Sequence, residues 1–332
     1  MILHPAIVAL LLVSLLLTGM CLYSAFFGIR IIRRWDLASG SEEQLGLERK
    51  TYLISTILSY VFAFQIGSLF LFIFTAESLH DRFVGAMCAA GALYANPYGY
   101  PAFLLKILNV LLAGIWLVVN AADNRAYDYP LIRKKYLLLL VLTPFVAAES
   151  VAQALYFTGL KADVITSCCG SLFSAAGTGV SSDIASFPPR LSMTIFYLVF
   201  AATVGAGLLY RFRRKMGVFF SLSSGLFFLV ACASFISFIS LYFYELPTHH
   251  CPFCVLQKEY GYVGYFLYAA LLAGAVSGLG VGALMPYSRI GSLAAALPAL
   301  QKRLALACLI AYAAFVALST WRIVATDFTL GL

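Results

Sequence analysis

Long apolar runs separated by short polar segments recur from one end of the 332-residue chain to the other. Eight are long enough to cross a bilayer, at about 5–31, 52–75, 101–121, 136–158, 191–210, 217–244, 261–285 and 304–325. Within each run the apolar residues are continuous. A transmembrane barrel strand would instead alternate apolar and polar positions over about ten residues. The pattern therefore predicts an all-α, polytopic helical membrane bundle forming one transmembrane domain, with no soluble domain and with membrane lipid as its solvent. Span seven carries Gly274, Gly278 and Gly282 at four-residue spacing, a stripe that lets another helix backbone come close.

The polar segments sort by charge. Arg30, Arg33, Arg34, Arg49 and Lys50 flank one connection, Arg125 and Arg133–Lys135 a second, Arg211–Lys215 a third, and Arg289, Lys302 and Arg303 a fourth; together these hold sixteen of the 22 basic residues. The alternate connections hold Arg82, Lys161, Arg190 and Lys258. Lys and Arg resist translocation, so the rich set is expected in the cytoplasm and both termini outside. The net charge of +8 thus reports topology and gives no reason to expect a nucleic-acid partner. With only 11% charged residues and 62% apolar ones, the chain is excluded from the ordinary soluble class. Basic residues follow the first run rather than precede it, which argues against a cleavable signal peptide. Cys21 is read as a buried membrane residue. The compact loops suggest a bacterial inner membrane.

This topology places Cys88, Cys168, Cys169, Cys251 and Cys254 in three outer loops, with His4, His80, His249 and His250 on the same side. Soft, redox-active side chains gathered on one face point to thiol or metal chemistry there. The sharpest motif is His249-His250-Cys251-Pro252-Phe253-Cys254, running into Gln257 and Lys258 at the mouth of span seven. A Cys-x-x-Cys pair at a helix start can close a small disulfide ring, and the helix N-terminus favours thiolate. The pair, with His249 or His250, can equally clamp a soft metal. A structural disulfide or two inert thiols would also account for it.

The segment Cys251-Pro252-Phe253-Cys254-x-x-Gln257-Lys258 resembles the disulfide-generating quinone reductases of the DsbB type and, more loosely, the vitamin K epoxide reductases. The resemblance covers about eight residues. It implies that Cys251 and Cys254 pass electrons to a membrane quinone with Lys258 beside it, while a second periplasmic pair exchanges disulfides with a thioredoxin-like protein. Those families have four or five spans, against eight here.

The adjacent Cys168 and Cys169 are poorly suited to a disulfide with each other. They suit capture of a soft cation or exchange with another thiol; Cys168 bonded to Cys88 or to the third loop, with Cys169 left over, is the plainer reading. Cys88 makes five outer thiols, an odd number. His80 reads as an exposed interfacial residue and His4 as merely terminal. Inside the membrane, Lys106 and Asn109 in span three, Glu149 and Gln153 in span four, and Gln65 in span two are costly at that depth and call for partners or a cavity. A Lys106–Glu149 pair is the economical arrangement, serving structure, protons, or a quinone or ion pocket. Cys232 and Cys308 read as small apolar filler. No histidine lies within a span and no Cys-x-x-Cys-His occurs, so no haem is expected; neither a Walker loop nor a dinucleotide fingerprint occurs, so no nucleotide is expected either.

Three functions fit. The first is an inner-membrane thiol–disulfide oxidoreductase passing electrons between periplasmic thiols and a membrane quinone, its catalytic thiols drawn from Cys251, Cys254, Cys168, Cys169 and Cys88, with Lys258, Gln257, Glu149 and Lys106 toward the cofactor. The second is a copper, zinc or mercury binding or transport protein using Cys251, Cys254, His249, His250, Cys168 and Cys169. The third is a membrane subunit docking a periplasmic electron carrier.

Overall fold

The computed structural model describes residues 2–36, 39–161, 164–167, 172–174 and 179–330. Among them the regular structure is helical, with one isolated β-bridge between Val84 and Ile165. The helices, in chain order, are α1 (Pro5–Arg34), α2 (Glu42–Ser78), α3 (Ala89–Tyr94), α4 (Gly99–Asp123), α5 (Ile132–Thr158), α6 (Val180–Ala185), α7 (Pro189–Arg213), α8 (Gly217–Ser234), α9 (Ser240–Tyr244), α10 (Val263–Leu284) and α11 (Ala296–Ala325). A π-helical turn, Phe235–Ile239, joins α8 to α9. Eight helical segments are long and apolar enough to cross a membrane, which makes this an integral membrane protein. Many of their outward side chains, Leu15, Leu16, Phe26, Leu198 and Leu222 among them, are exposed and apolar, as lipid contact requires.

Two helices begin well before the apolar runs that reveal them. The second run starts near residue 52, yet α2 starts at Glu42; the eighth starts near 304, yet α11 starts at Ala296. Hydropathy marks the stretch suited to hydrocarbon, whereas a helix continues into polar surroundings wherever its backbone bonds are made. At the start of α2 the Ser41 hydroxyl accepts from the Gln44 N–H, and Glu42 and Glu43 complement the helix dipole.

The chain divides into two compact units. The first comprises Met1–Thr75, Asn96–Lys161 and Pro286–Leu300. Within it α5 packs against both α1 and α4. Its core gathers Phe27, Ile31, Phe62, Trp116, Tyr136 and Leu139, with the Phe62 and Trp116 rings edge to face at 5.0 Å. A Cβ on Gly28 would lie 2.8 Å from the Tyr136 ring, so only glycine admits α5 that closely.

Two ion pairs are buried in this unit. Lys106 Nζ lies 2.7 Å from Glu149 Oε1, with both side chains 2% exposed or less. Glu149 also accepts from Asn109 at 2.6 Å and from Gln65, while Lys106 donates to Ser68 Oγ at 3.3 Å. The pairing anticipated from the sequence is therefore present and heavily hydrogen-bonded. Gln153, one turn from Glu149, is spent elsewhere, on the Leu10 carbonyl of α1. The second pair, Lys135 with Asp123 at 2.8 Å, escaped the sequence reading, where Lys135 counted only as one of the basic loop residues. Its ammonium also donates to Asn120 Oδ1 at 3.0 Å, and Asp123 accepts the Leu131 N–H at 2.8 Å.

The second unit comprises Ala76–Ala95, Ala162–Met285 and Gln301–Leu332. Here α8 packs against α7 and α10. The glycine stripe of α10 is a packing device: a Cβ on Gly278 would lie 1.9 Å from Ser224 Oγ, and one on Gly274 2.3 Å from the Tyr312 ring. Cys308 is buried beside Ser224, at 3.5 Å, and fills the same contact, whereas Cys232 is exposed on its helix surface rather than filling a core. Arg322 donates to Glu245 Oε1 at 2.9 Å and to the Phe243 carbonyl.

Lys106→Met should destabilise the protein by about 3–5 kcal/mol, because it strands the Glu149 charge in an apolar interior. Lys106→Met with Glu149→Gln should recover most of that loss, as read by thermal melting in detergent. Equal melting of the single and double variants would show that pairing is not what matters.

Candidate functional site

Three of the five cysteines that the sequence assigns to outer loops meet in the second unit. The sulfurs of Cys88, Cys251 and Cys254 all lie within 4.8 Å of one another, and Cys88 Sγ is 3.6 Å from Cys251 Sγ. Their residues are 0%, 0% and 5% exposed. The loop carrying Cys88 and the loop carrying Cys251 and Cys254 therefore meet in one place. The structure corrects the open setting that loop positions imply for these thiols: Cys251 to Leu256 fold inward, and Lys258 and Glu259 stand exposed.

A second correction concerns the helix. The Cys-x-x-Cys pair does not open span seven. Cys254–Leu256 is a 3₁₀ turn, Gln257 is extended, Lys258–Tyr260 is a second 3₁₀ turn, and α10 begins only at Val263. Gly261 and Tyr262 adopt left-handed conformations, φ 62° and 57°, that force the break. Cys251 and Cys254 therefore do not cap α10, and Lys258 lies on an exposed turn rather than inside the helix.

What holds the loop is a pair of tyrosines that sequence reasoning missed. Tyr244, the last residue of α9, donates its hydroxyl to the Cys251 carbonyl at 2.7 Å and accepts the Val255 N–H at 2.9 Å, so one side chain pins both ends of the turn. Its ring packs edge-on to His249 and Tyr260, at 4.6 and 4.9 Å. Tyr268, from α10, donates to the Pro252 carbonyl. A Cβ on Gly264 would lie 2.7 Å from Val255 Cγ1, so the first turn of α10 can press on the loop only as glycine. Nothing in the local motif announces these partners.

The two histidines of the motif have different duties. His249 Nε2 lies 3.3 Å from Cys254 Sγ. His250 instead bonds through Nδ1 to the Ile236 carbonyl, 2.8 Å away in the π-helical turn. A π turn shifts the helical hydrogen-bond register, and such turns recur at functional sites. His250 thus anchors the loop to span six, and His249 alone of the pair faces a sulfur.

Glu77 brings in Cys88. Its carboxylate accepts the Ala89 N–H at 2.6 Å, serving the first turn of α3 as a capping side chain would, and accepts Gln257 Nε2 at 2.8 Å. Gln257 also donates to the Met87 carbonyl at 2.9 Å. Both amide hydrogens of Gln257 are therefore spent joining the Cys251–Cys254 loop to the residues flanking Cys88. His80 is not the exposed interfacial residue expected: it is half-buried against Glu77 and also contacts Asp81. The segment after α5 reaches the loop of Cys88 through Thr166, whose N–H donates to the Val84 carbonyl at 2.8 Å. Cys168 and Cys169 lie outside the described residues. Lys106 and Glu149 belong to the other unit, spent on each other and their amide and hydroxyl neighbours.

Comparison of the chain with protein-family models, with curated proteins and with solved structures finds no match in any of the three.

Tyr244→Phe keeps the ring and removes both hydrogen bonds at the ends of the turn. Labelling of Cys251 and Cys254 by a small maleimide should then accelerate about tenfold, for about 1–2 kcal/mol of local stability lost. An unchanged labelling rate would show that the hydroxyl does not hold the loop.

Proposed function

We propose that this protein is a membrane thiol–disulfide oxidoreductase of the bacterial inner membrane, in which Cys251, Cys254 and Cys88 form a three-sulfur relay. The observation that carries the reading is the 3.6 Å approach of Cys88 Sγ to Cys251 Sγ with Cys254 in the same cluster. Three sulfurs hold one disulfide in alternative places. With Cys251–Cys254 oxidised, the Cys88 thiolate attacks Cys251 Sγ; the Cys88–Cys251 bond forms as the Cys251–Cys254 bond breaks, and Cys254 leaves as a thiolate. Such exchange needs an attacking thiolate, a central sulfur and a leaving sulfur in reach of one another. His249 Nε2, 3.3 Å from Cys254 Sγ, is positioned to return a proton to that leaving sulfur and to take it back in the reverse step.

The relay carries two electrons, taken from a substrate dithiol that becomes a disulfide. The local resemblance to quinone-linked thiol oxidoreductases names a membrane quinone as acceptor; when bound, a quinone takes up two electrons and two protons to become a quinol. The second unit offers an apolar cavity of about 300 Å³ to hold such a ring, lined by Val180, Ile184, Phe187, Ile195 and Val230, with Ser237 of the π-helical turn. Burial of all three sulfurs favours exchange along the relay over direct attack on a large protein, so a periplasmic thioredoxin-like partner would need an exposed thiol to relay through. Cys168 and Cys169 are the sequence candidates for that step.

The His249 contact also supports a second reading, a soft-metal site of three sulfurs and one imidazole. Zinc bound tetrahedrally at about 2.3 Å from sulfur separates its thiolates by about 3.8 Å, close to the spacing of Cys88 and Cys251.

One experiment separates them. Protein purified without chelator or reductant is mapped by mass spectrometry under non-reducing conditions, analysed for metal, and assayed for thiol-dependent reduction of a soluble quinone. Cys254→Ser should accumulate a Cys88–Cys251 disulfide and Cys88→Ser a Cys251–Cys254 disulfide. Cys251→Ser should lower quinone reduction by about 100-fold or more, with Cys308→Ser near the parent rate. Near-stoichiometric zinc or copper, with all three thiols reduced in every variant and no quinone reduction, would replace the relay with the metal site.

A further inference from the structure

The first unit holds a cavity that plays no part in the sulfur chemistry. It occupies about 200 Å³ at the end of the unit where the basic connections lie, between the first turns of α2, the C-terminus of α4 and the start of α5. Thr51, Ser55 and Lys135 line it, with Trp35, Glu48 and Tyr129.

Its inner wall is a cluster of hydrogen-bonding groups with capacity left over. Thr51 and Ser55 are each 4% exposed, and Tyr136, fully buried, stands with its hydroxyl beside both. Tyr136 bonds to both hydroxyls, and the three have no further partner among the described residues. Lys135, 1% exposed, has three N–H groups and gives two of them to Asp123 and Asn120. Two bonds among three hydroxyls leave one O–H donor unspent, and a buried donor left unmet costs about 1–3 kcal/mol, so with the third N–H of Lys135 two donors here call for an acceptor. Donors converging in this way suit an oxyanion or carbonyl oxygen.

The rest of the lining differs in character. Glu48, only partly buried, contributes a carboxylate, and Trp35 and Tyr129 contribute aromatic rings, the pairing that receives an ammonium group. Charge at the inner wall is balanced, since Lys135 is already neutralised by Asp123. A simple anion would therefore bring an uncompensated charge and face Glu48, and a simple cation would leave the hydroxyls unsatisfied.

The geometry points to a binding site for a small zwitterion of amino-acid size, its carboxylate on Thr51, Ser55 and the remaining N–H of Lys135, and its ammonium toward Glu48 and the aromatic rings.

The test uses full-length protein in detergent and a defined panel: glycine, L-alanine, β-alanine, taurine, acetate and methylamine, each followed by calorimetry and by tryptophan fluorescence. At least one zwitterion should bind saturably, about tenfold or more tighter than acetate or methylamine. Ser55→Ala and Glu48→Gln should each weaken it by about tenfold, for one lost hydrogen bond or charge contact. The fluorescence change, tested without touching the polar lining, should disappear in Trp35→Phe and persist in Trp321→Phe. If no zwitterion outbinds acetate and methylamine, or if binding survives Ser55→Ala and Glu48→Gln unchanged, the cavity holds water only and the proposal is wrong. Cys251→Ser should leave the binding intact, so failure of the sulfur relay and failure of this site are distinguishable.

Discussion

A polar group carried into hydrocarbon must find its partner inside the protein, and this requirement organises both units. Where lipid surrounds a helix, water cannot supply the missing hydrogen bond, and each unmet group costs several kcal/mol. Glu149 is met by Lys106, Asn109 and Gln65; Lys135 by Asp123 and Asn120; the Ile236 carbonyl of the π-helical turn by His250. The contacts of Glu149 and Lys135 join different helices, so they specify which helices lie together more sharply than apolar packing does.

The same requirement explains how a loop of polar backbone is folded inward around three thiols. Burying Cys251 to Leu256 removes their peptide groups from water, and the compensation comes from Tyr244 and Tyr268, whose hydroxyls meet the loop while their rings supply apolar surface. Glu77 does the equivalent for the residues around Cys88. The sulfurs are then held at van der Waals contact, well beyond the bonded distance of about 2.05 Å. A small displacement suffices to make a disulfide, and a small expansion admits a metal. Supporting groups locked by their own hydrogen bonds are what a precise site demands.

Much of this was legible from residue order. Eight spans follow from apolar runs that have no other stable home, and the glycine stripe of α10 was correctly a packing surface. The Lys106–Glu149 pair could be anticipated because two opposite charges at similar depth in adjacent spans have few other solutions. The Lys135–Asp123 pair could not, since Lys135 sits among basic loop residues and only the inward turn of α5 distinguishes it from Lys134. The helix-start reading of Cys251 and Cys254 failed for a comparable reason: the motif stands only a few residues before the apolar run of span seven, and the left-handed turn at Gly261 and Tyr262 that delays α10 is a backbone choice that hydropathy does not record.

The chain alone determined that it must live in a membrane as a helical bundle, because surface of this apolarity has no stable alternative, and it named the sulfur-bearing residues worth examining. Only the folded structure decided that Cys88 meets Cys251, that His249 rather than His250 faces a sulfur, and that Tyr244 and Glu77 hold them there. Those choices are made by contacts across as many as 180 residues of sequence, such as Gln257 with Glu77, and side-chain direction at such range is set by packing rather than by local pattern.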